Sequence, residues 1–145
     1  MLSGEYNHNL DSKGRVIIPA KLREQLGETI IITKGLDNCL FVFPEKEWQN
    51  FQEKLSKLKL VSKEARSFIR FFIGSSEEIS LDKSGRILLP HPLREYASIE
   101  KEAVLVGVLN RLEIWDKERW ISQNEETCNN MENIALKMEE MGMDI

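Results

Sequence analysis

The 145-residue chain is 41% hydrophobic and 30% charged, the balance of a globular protein rather than a fibrous or disordered one. Two cysteines (Cys39 and Cys128) and two histidines fall in no disulfide or metal-ligand spacing, and no apolar run nears the roughly 18 residues of a membrane span. The formal net charge is −4, yet from Lys117 to Ile145 three bases stand against seven acids, so residues 1–116 are neutral and can carry a local basic face.

In chain order, Tyr6, His8 and Leu10 alternate as a strand does and run into a turn, Asp11-Ser12-Lys13-Gly14. Asp at the start of such a hairpin turn accepts backbone N–H groups, and Gly supplies a positive φ at its end. Val16, Ile17 and Ile18 predict a buried strand, so Ile17→Asp is expected to unfold the chain. Pro19 ends that strand and opens a short helix, Lys21 to Leu26. Strands Thr29–Lys34 and Leu40–Phe43 follow, joined through Leu36-Asp37-Asn38. Trp48, Phe51, Leu55 and Leu58 recur at helical spacing, and Ala65 to Ile73 predicts another helix with Phe68, Ile69, Phe72 and Ile73 on one face.

From there the plan repeats. Leu10 to Glu24 returns 71 positions later as Leu81 to Glu95, with eight of fifteen residues identical and three aliphatics between Arg and Pro in both. The second copy predicts a strand through Ile79 and Leu81, a turn Asp82–Gly85, a buried strand Ile87-Leu88-Leu89 and a short helix from Pro92 to Ala97. Strands Glu102–Val108 and Leu112–Trp115 flank Leu109-Asn110-Arg111. A single amphipathic helix then carries Trp120, Cys128, Met131, Ile134, Ala135, Met138 and Met141 into the acidic tail. A module of roughly 55 residues buries little apolar surface alone. Two copies are therefore expected to share one core about a pseudo-two-fold axis, in the α+β class. The expected division is a first repeat over residues 5–48, a helical connector over 49–75, a second repeat over 76–120 and a C-terminal acidic helix over 121–145.

Turn chemistry accounts for Asp11, Gly14, Asp82 and Gly85, but it does not demand the arginine that follows each glycine. Arg15 and Arg86 could pair with the Asp four residues earlier, or face an anionic partner together with Lys13 and Lys83. Residues 10–24 hold four bases and two acids, and residues 81–95 hold three bases and two acids, in a chain that is negative overall. Guanidinium forks onto phosphate or onto the guanine edge, and a β-ribbon fits the DNA major groove. Catalysis is not expected: His8 and His91 lack partners at triad spacing, no Gly-rich phosphate loop occurs, and nothing points to a cofactor or metal.

Gly4-Glu5-Tyr6, Leu10–Pro19, its second copy, the Ala65–Phe72 helix and the Gly107–Trp115 strand pair together resemble the MraZ family, a bacterial member of the AbrB-like swapped-hairpin group, over essentially the whole chain. The doubled Asp-x-x-x-Arg signature, Asp11 with Arg15 and Asp82 with Arg86, is the most specific part. The resemblance implies two tandem swapped-hairpin β modules with peripheral helices. It implies a regulator, as a repressor, of the division-and-cell-wall gene cluster containing its own gene, bound to double-stranded promoter DNA with short direct repeats. It also implies a homo-oligomeric ring, cytoplasmic and associated with the nucleoid, with no membrane and no small-molecule substrate. The expected DNA-binding residues are Arg15, Arg86, Lys13 and Lys83, with Asp11, Gly14, Asp82 and Gly85 supporting the turns. Gly74-Ser75-Ser76 is more polar than the resemblance leads one to expect. Surplus apolar helix faces keep a second possibility open, a ring-forming scaffold that binds protein partners without DNA.

Overall fold

A computed structural model describes residues 1–144 of the chain. Its elements in order are β1 (Leu2–Asn9), β2 (Arg15–Ile17), α1 (Ala20–Leu26), β3 (Thr29–Lys34), β4 (Leu40–Pro44), α2 (Glu45–Ser56) and α3 (Lys63–Gly74). The second half repeats them as β5 (Glu77–Ser80), β6 (Arg86–Leu88), α4 (His91–Ala97), β7 (Glu102–Leu109) and β8 (Leu112–Asp116), followed by α5 (Lys117–Asn129) and α6 (Met131–Glu140). The class is α+β.

The strands exchange between repeats. One antiparallel sheet has the order β1-β7-β8-β4-β3-β5, and β2 and β6 form a separate two-stranded ribbon. Each repeat contributes a hairpin, β3–β4 or β7–β8, and the two hairpins meet at Leu40–Val42 against Leu112–Ile114. The leading strand of each repeat then joins the other repeat's hairpin: β1 pairs with β7 over Leu2–Asn9, and β5 pairs with β3. β1 and β2 are therefore not a hairpin ladder, which corrects the local pairing expected around Asp11–Gly14. Main-chain bonds tie the halves further, with Ile18 N–H donating to Gly85 and Leu89 N–H to Gly14. The pseudo-two-fold passes between β4 and β8 and between β2 and β6.

Alternation along the strands divides the apolar residues between two layers. Ile30, Ile32, Leu40, Val42, Leu105, Leu112 and Ile114 face one side of the sheet, where Val16, Ile18, Ile87 and Leu89 of the ribbon and Leu22 and Leu93 of the short helices close over them. Ile31, Phe41, Phe43, Val104 and Trp115 face the other side, beneath Trp48, Leu55 and Phe72 of α2 and α3, with Trp120 of α5 packed at the edge. A two-stranded ribbon covered on one face buries only alternate residues. Val16 and Ile18 are sealed, whereas Ile17 is 42% exposed. The expectation that Ile17 is buried, and that Ile17→Asp unfolds the chain, is thus corrected; the sensitive positions are its neighbours.

Two further differences have local causes. The expected single C-terminal helix is two, broken at Asn130 (φ −113°, ψ 10°), whose N–H bonds back to Glu126 and Thr127. Ser75 and Ser76 cap the end of α3, their hydroxyls donating to the carbonyls of Phe71 and Ile73. The buried Thr33 hydroxyl donates to the carbonyl of Phe72 at 2.6 Å and lies 3.0 Å from the Ser75 hydroxyl, so this polar stretch is satisfied internally. Both cysteines are free thiols, Cys39 buried and Cys128 exposed. Among the described residues no helix is long and apolar enough to cross a membrane.

Candidate functional site

The strand exchange brings both Asp-x-x-Gly-Arg turns to one end of the molecule. Each turn closes identically. Asp11 N–H donates to the carbonyl of Arg15 and Gly14 N–H to that of Asp11; Asp82 N–H donates to Arg86 and Gly85 N–H to Asp82. The Asp11 carboxylate accepts from the N–H groups of Lys13 and Arg15 at 2.9 Å and from Arg15 Nε at 2.7 Å. Asp82 does the same with Ser84 N–H, Arg86 N–H and Arg86 Nε, each at 2.9 Å. The backbone N–H of Arg15 foremost, with the guanidinium and Lys13 N–H in support, holds the Asp11 carboxyl down at about 2. Asp82 is lowered likewise, first by the N–H of Arg86.

Both turns are joined through the ribbon. Ladder pairs are Arg15 with Leu88, Val16 with Ile87 and Ile17 with Arg86. Arg86 Nη1 comes within 3.8 Å of Asp11 Oδ2, so the second arginine reaches the first turn's carboxylate. Arg15 and Arg86 do not stand free in solvent as protruding tips would. They lie half-buried along the outer face of the ribbon, each tethered through Nε. No hydrogen bond among the described residues engages their terminal nitrogens, the end of the fork that recognises planar acceptors. Lys13 and Lys83 are exposed at the turns.

A second pair of arginines completes the cluster, and sequence reasoning missed it. Arg23 Nε donates to the carbonyl of Ile18 at 2.8 Å and Arg94 Nε to that of Leu89 at 3.0 Å. Each lies over the other repeat's turn glycine. A Cβ on Gly14 would stand 2.8 Å from Arg94 Cζ, and one on Gly85 would stand 2.5 Å from Arg23 Cζ. Both glycines also hold φ near +80°, a left-handed conformation that other residues adopt at a cost. The signal was present, since Arg23 and Arg94 occupy the same repeat position; only the crossing of the two repeats shows where they go.

Six cationic side chains thus gather around two carboxylates that are already engaged. The acidic C-terminal segment is elsewhere: α5 packs through Trp120 on the sheet face opposite the ribbon. Among the described residues no group of three or more His, Cys, Asp or Glu side chains could hold a metal ion. His91 is exposed on α4, 3.5 Å from Glu95.

The chain as a whole has relatives among known proteins. The family model described as "MraZ protein, putative antitoxin-like" matches the chain twice, over residues 1–71 and 72–141. The chain belongs to the MraZ family. It is 54% identical over 143 residues to the "Transcriptional regulator MraZ" of Clostridium acetobutylicum and 52% identical to that of Clostridium tetani, covering 99% of this chain and all of each relative. The protein of the same name from Caldanaerobacter subterraneus subsp. tengcongensis is 55% identical over 135 residues, covering 93% of this chain and 94% of the relative. The two matched segments each contain one Asp-x-x-x-Arg turn, so the MraZ family repeat and the structural repeat coincide at the site.

Proposed function

We propose that the chain is a DNA-binding transcriptional regulator of the MraZ family that holds double-stranded promoter DNA against the β2–β6 ribbon. The observation that carries this is the pairing of two Asp–Arg turns, from sequence-distant repeats, into one basic face with half-buried, pre-oriented guanidinium groups. A two-stranded ribbon fits the major groove, where arginine forks onto guanine O6 and N7. In this reading Arg15 and Arg86 contact base edges or phosphates and Lys13 and Lys83 neutralise phosphates. Asp11 and Asp82 aim the arginines, and Gly14 and Gly85 allow the turns. Residues 5–48 and 76–120 serve as the two DNA-presenting repeats, 49–75 as a connector and 121–145 as an acidic segment remote from DNA.

The finer assignment rests on the sequence resemblance alone: a repressor acting on the promoter of the division-and-cell-wall cluster that contains its own gene, in the cytoplasm and at the nucleoid. The reading includes no catalysis, cofactor or small-molecule substrate. Exposed Ile121, Met131, Leu136 and Met138 on α5 and α6, with Met141 just beyond, favour assembly with further copies. That surface alone would equally suit a scaffold that ignores DNA. Fluorescence anisotropy with a labelled duplex from upstream of the chain's own gene separates the two. A regulator binds it at least about 10³-fold more tightly than a scrambled duplex, with affinity falling as salt rises. Equal, weak binding of both duplexes contradicts the proposal.

A further inference from the structure

The outer face of the ribbon carries two side chains that neither the core nor the ion pairs use. Ile17 and Leu88 are 42% and 52% exposed, while Val16, Ile18, Ile87 and Leu89 beside them are at 1% or less. Ile17 lies opposite Arg86 and Leu88 opposite Arg15, so aliphatic and guanidinium groups alternate at the four corners of one patch. Cross-strand neighbours sit about 5 Å apart and next-but-one residues about 7 Å apart. Those spacings match one to two base steps of about 3.4 Å. A solitary exposed aliphatic is ordinary. Here the pseudo-two-fold sets a pair between two arginines, at the centre of a basic face, where phosphate binding alone has no use for branched hydrocarbon. The occupant that fits is a polyanion that also presents apolar groups at this spacing, and on base edges in the major groove that group is the thymine C5-methyl.

Resting on the DNA-binding reading above, we infer that Ile17 and Leu88 are specificity-determining residues that pack against thymine methyl groups beside the acceptors taken by Arg86 and Arg15. Burying one methyl is worth about fourfold in affinity, so two contacts are worth about fifteenfold. The test uses the full chain and the duplex from upstream of its own gene, made once with thymine and once with uracil, which keeps every hydrogen-bonding group and lacks the methyl. The wild-type chain should bind the thymine duplex about fifteenfold more tightly, and the Ile17→Ala/Leu88→Ala chain should bind both duplexes like wild type on uracil. Equal wild-type affinity for both duplexes overturns the methyl contact while leaving DNA binding intact. The same discrimination in wild type and double variant overturns the assignment to these two residues. Absence of specific binding to either duplex overturns the DNA reading and the inference with it. The wild-type comparison needs no variant to fold, and both substituted positions lie outside the sealed core.

Discussion

Asp11 does more than shape a turn. Its carboxylate receives two backbone N–H groups and the Nε of Arg15, which fixes the guanidinium before any partner arrives. The main-chain bond to Arg15 is the largest influence on its titration, and the folded value of about 2 lies below the ordinary 3.8. Because the folded value is the lower one, ionised Asp11 stabilises the turn fully above the ordinary carboxylate range, and that contribution is lost as pH falls from about 4 through about 2. Asp82 shifts in the same direction. Carbon-detected NMR should therefore show the Asp11 carboxyl titrating with a midpoint near 2; a midpoint near 3.8 would mean that the turn bonds do not persist in solution. The residue roles differ in legibility. Asp11, Gly14 and Arg15 are readable because turn chemistry leaves arginine unexplained. Arg23 and Arg94 act across repeats, and no local rule places a helix arginine over a distant glycine.

Single elements show why some features were readable and others were not. Periodicity identified β3, β4, β7 and β8 because each is buried or alternating over five or more residues and joined by a short turn. It could not identify partners for β1 and β5, since a strand's pattern says which face is covered and nothing about which neighbour lies beside it. Val16-Ile17-Ile18 looks like a fully buried run, yet a ribbon lying on a core has an inner and an outer face, and the middle residue faces out. Val16→Asp, by contrast, places an unpaired carboxylate at a site 1% exposed, in contact with the core beneath both repeats. Thermal unfolding followed by circular dichroism and by tryptophan fluorescence should show the whole chain losing structure together. A variant that keeps one repeat native and melts in two steps would contradict the shared core. At the other end, neither α5 nor α6 has a buried residue. Deleting residues 138–145 should leave the melting temperature of the body and the order of preference among duplexes unchanged; a changed order would place the tail at the DNA.

Across the whole molecule, exchange of β1 and β5 makes two small repeats into one sheet and sets two turns side by side. On the proposed reading, the basic face offers few charges to DNA, and each phosphate contact contributes about −0.9 to the slope of log K against log salt. One chain alone should bind weakly at physiological salt. Copies joined through their exposed helical surface would present ribbons at a fixed repeat, and linked contacts convert weak binding into avidity. Head-to-tail copies match direct repeats, whereas a two-fold dimer matches a palindrome. We expect light scattering to find an assembly larger than a dimer, with affinity rising steeply as half-sites are added in direct repeat; a monomer, or equal affinity for one site and several, would contradict this.

On the proposed function, the paired arginines of the β2–β6 ribbon are the DNA-contacting groups. This assignment is tested most directly by titrating the wild-type chain, Arg15→Ala and Arg86→Ala against the upstream duplex over a range of salt concentrations, with melting temperatures measured alongside. Each substitution removes a contact worth about 1–3 kcal/mol. Either variant should lose about 5- to 160-fold in specific affinity, with a shallower salt dependence if the lost contact is to phosphate and relaxed base preference if it is to guanine. Melting temperatures should stay close to wild type, because the turns keep their backbone bonds to Asp11 and Asp82. Unchanged affinity and specificity in both variants would show that Arg15 and Arg86 are not the DNA-contacting groups.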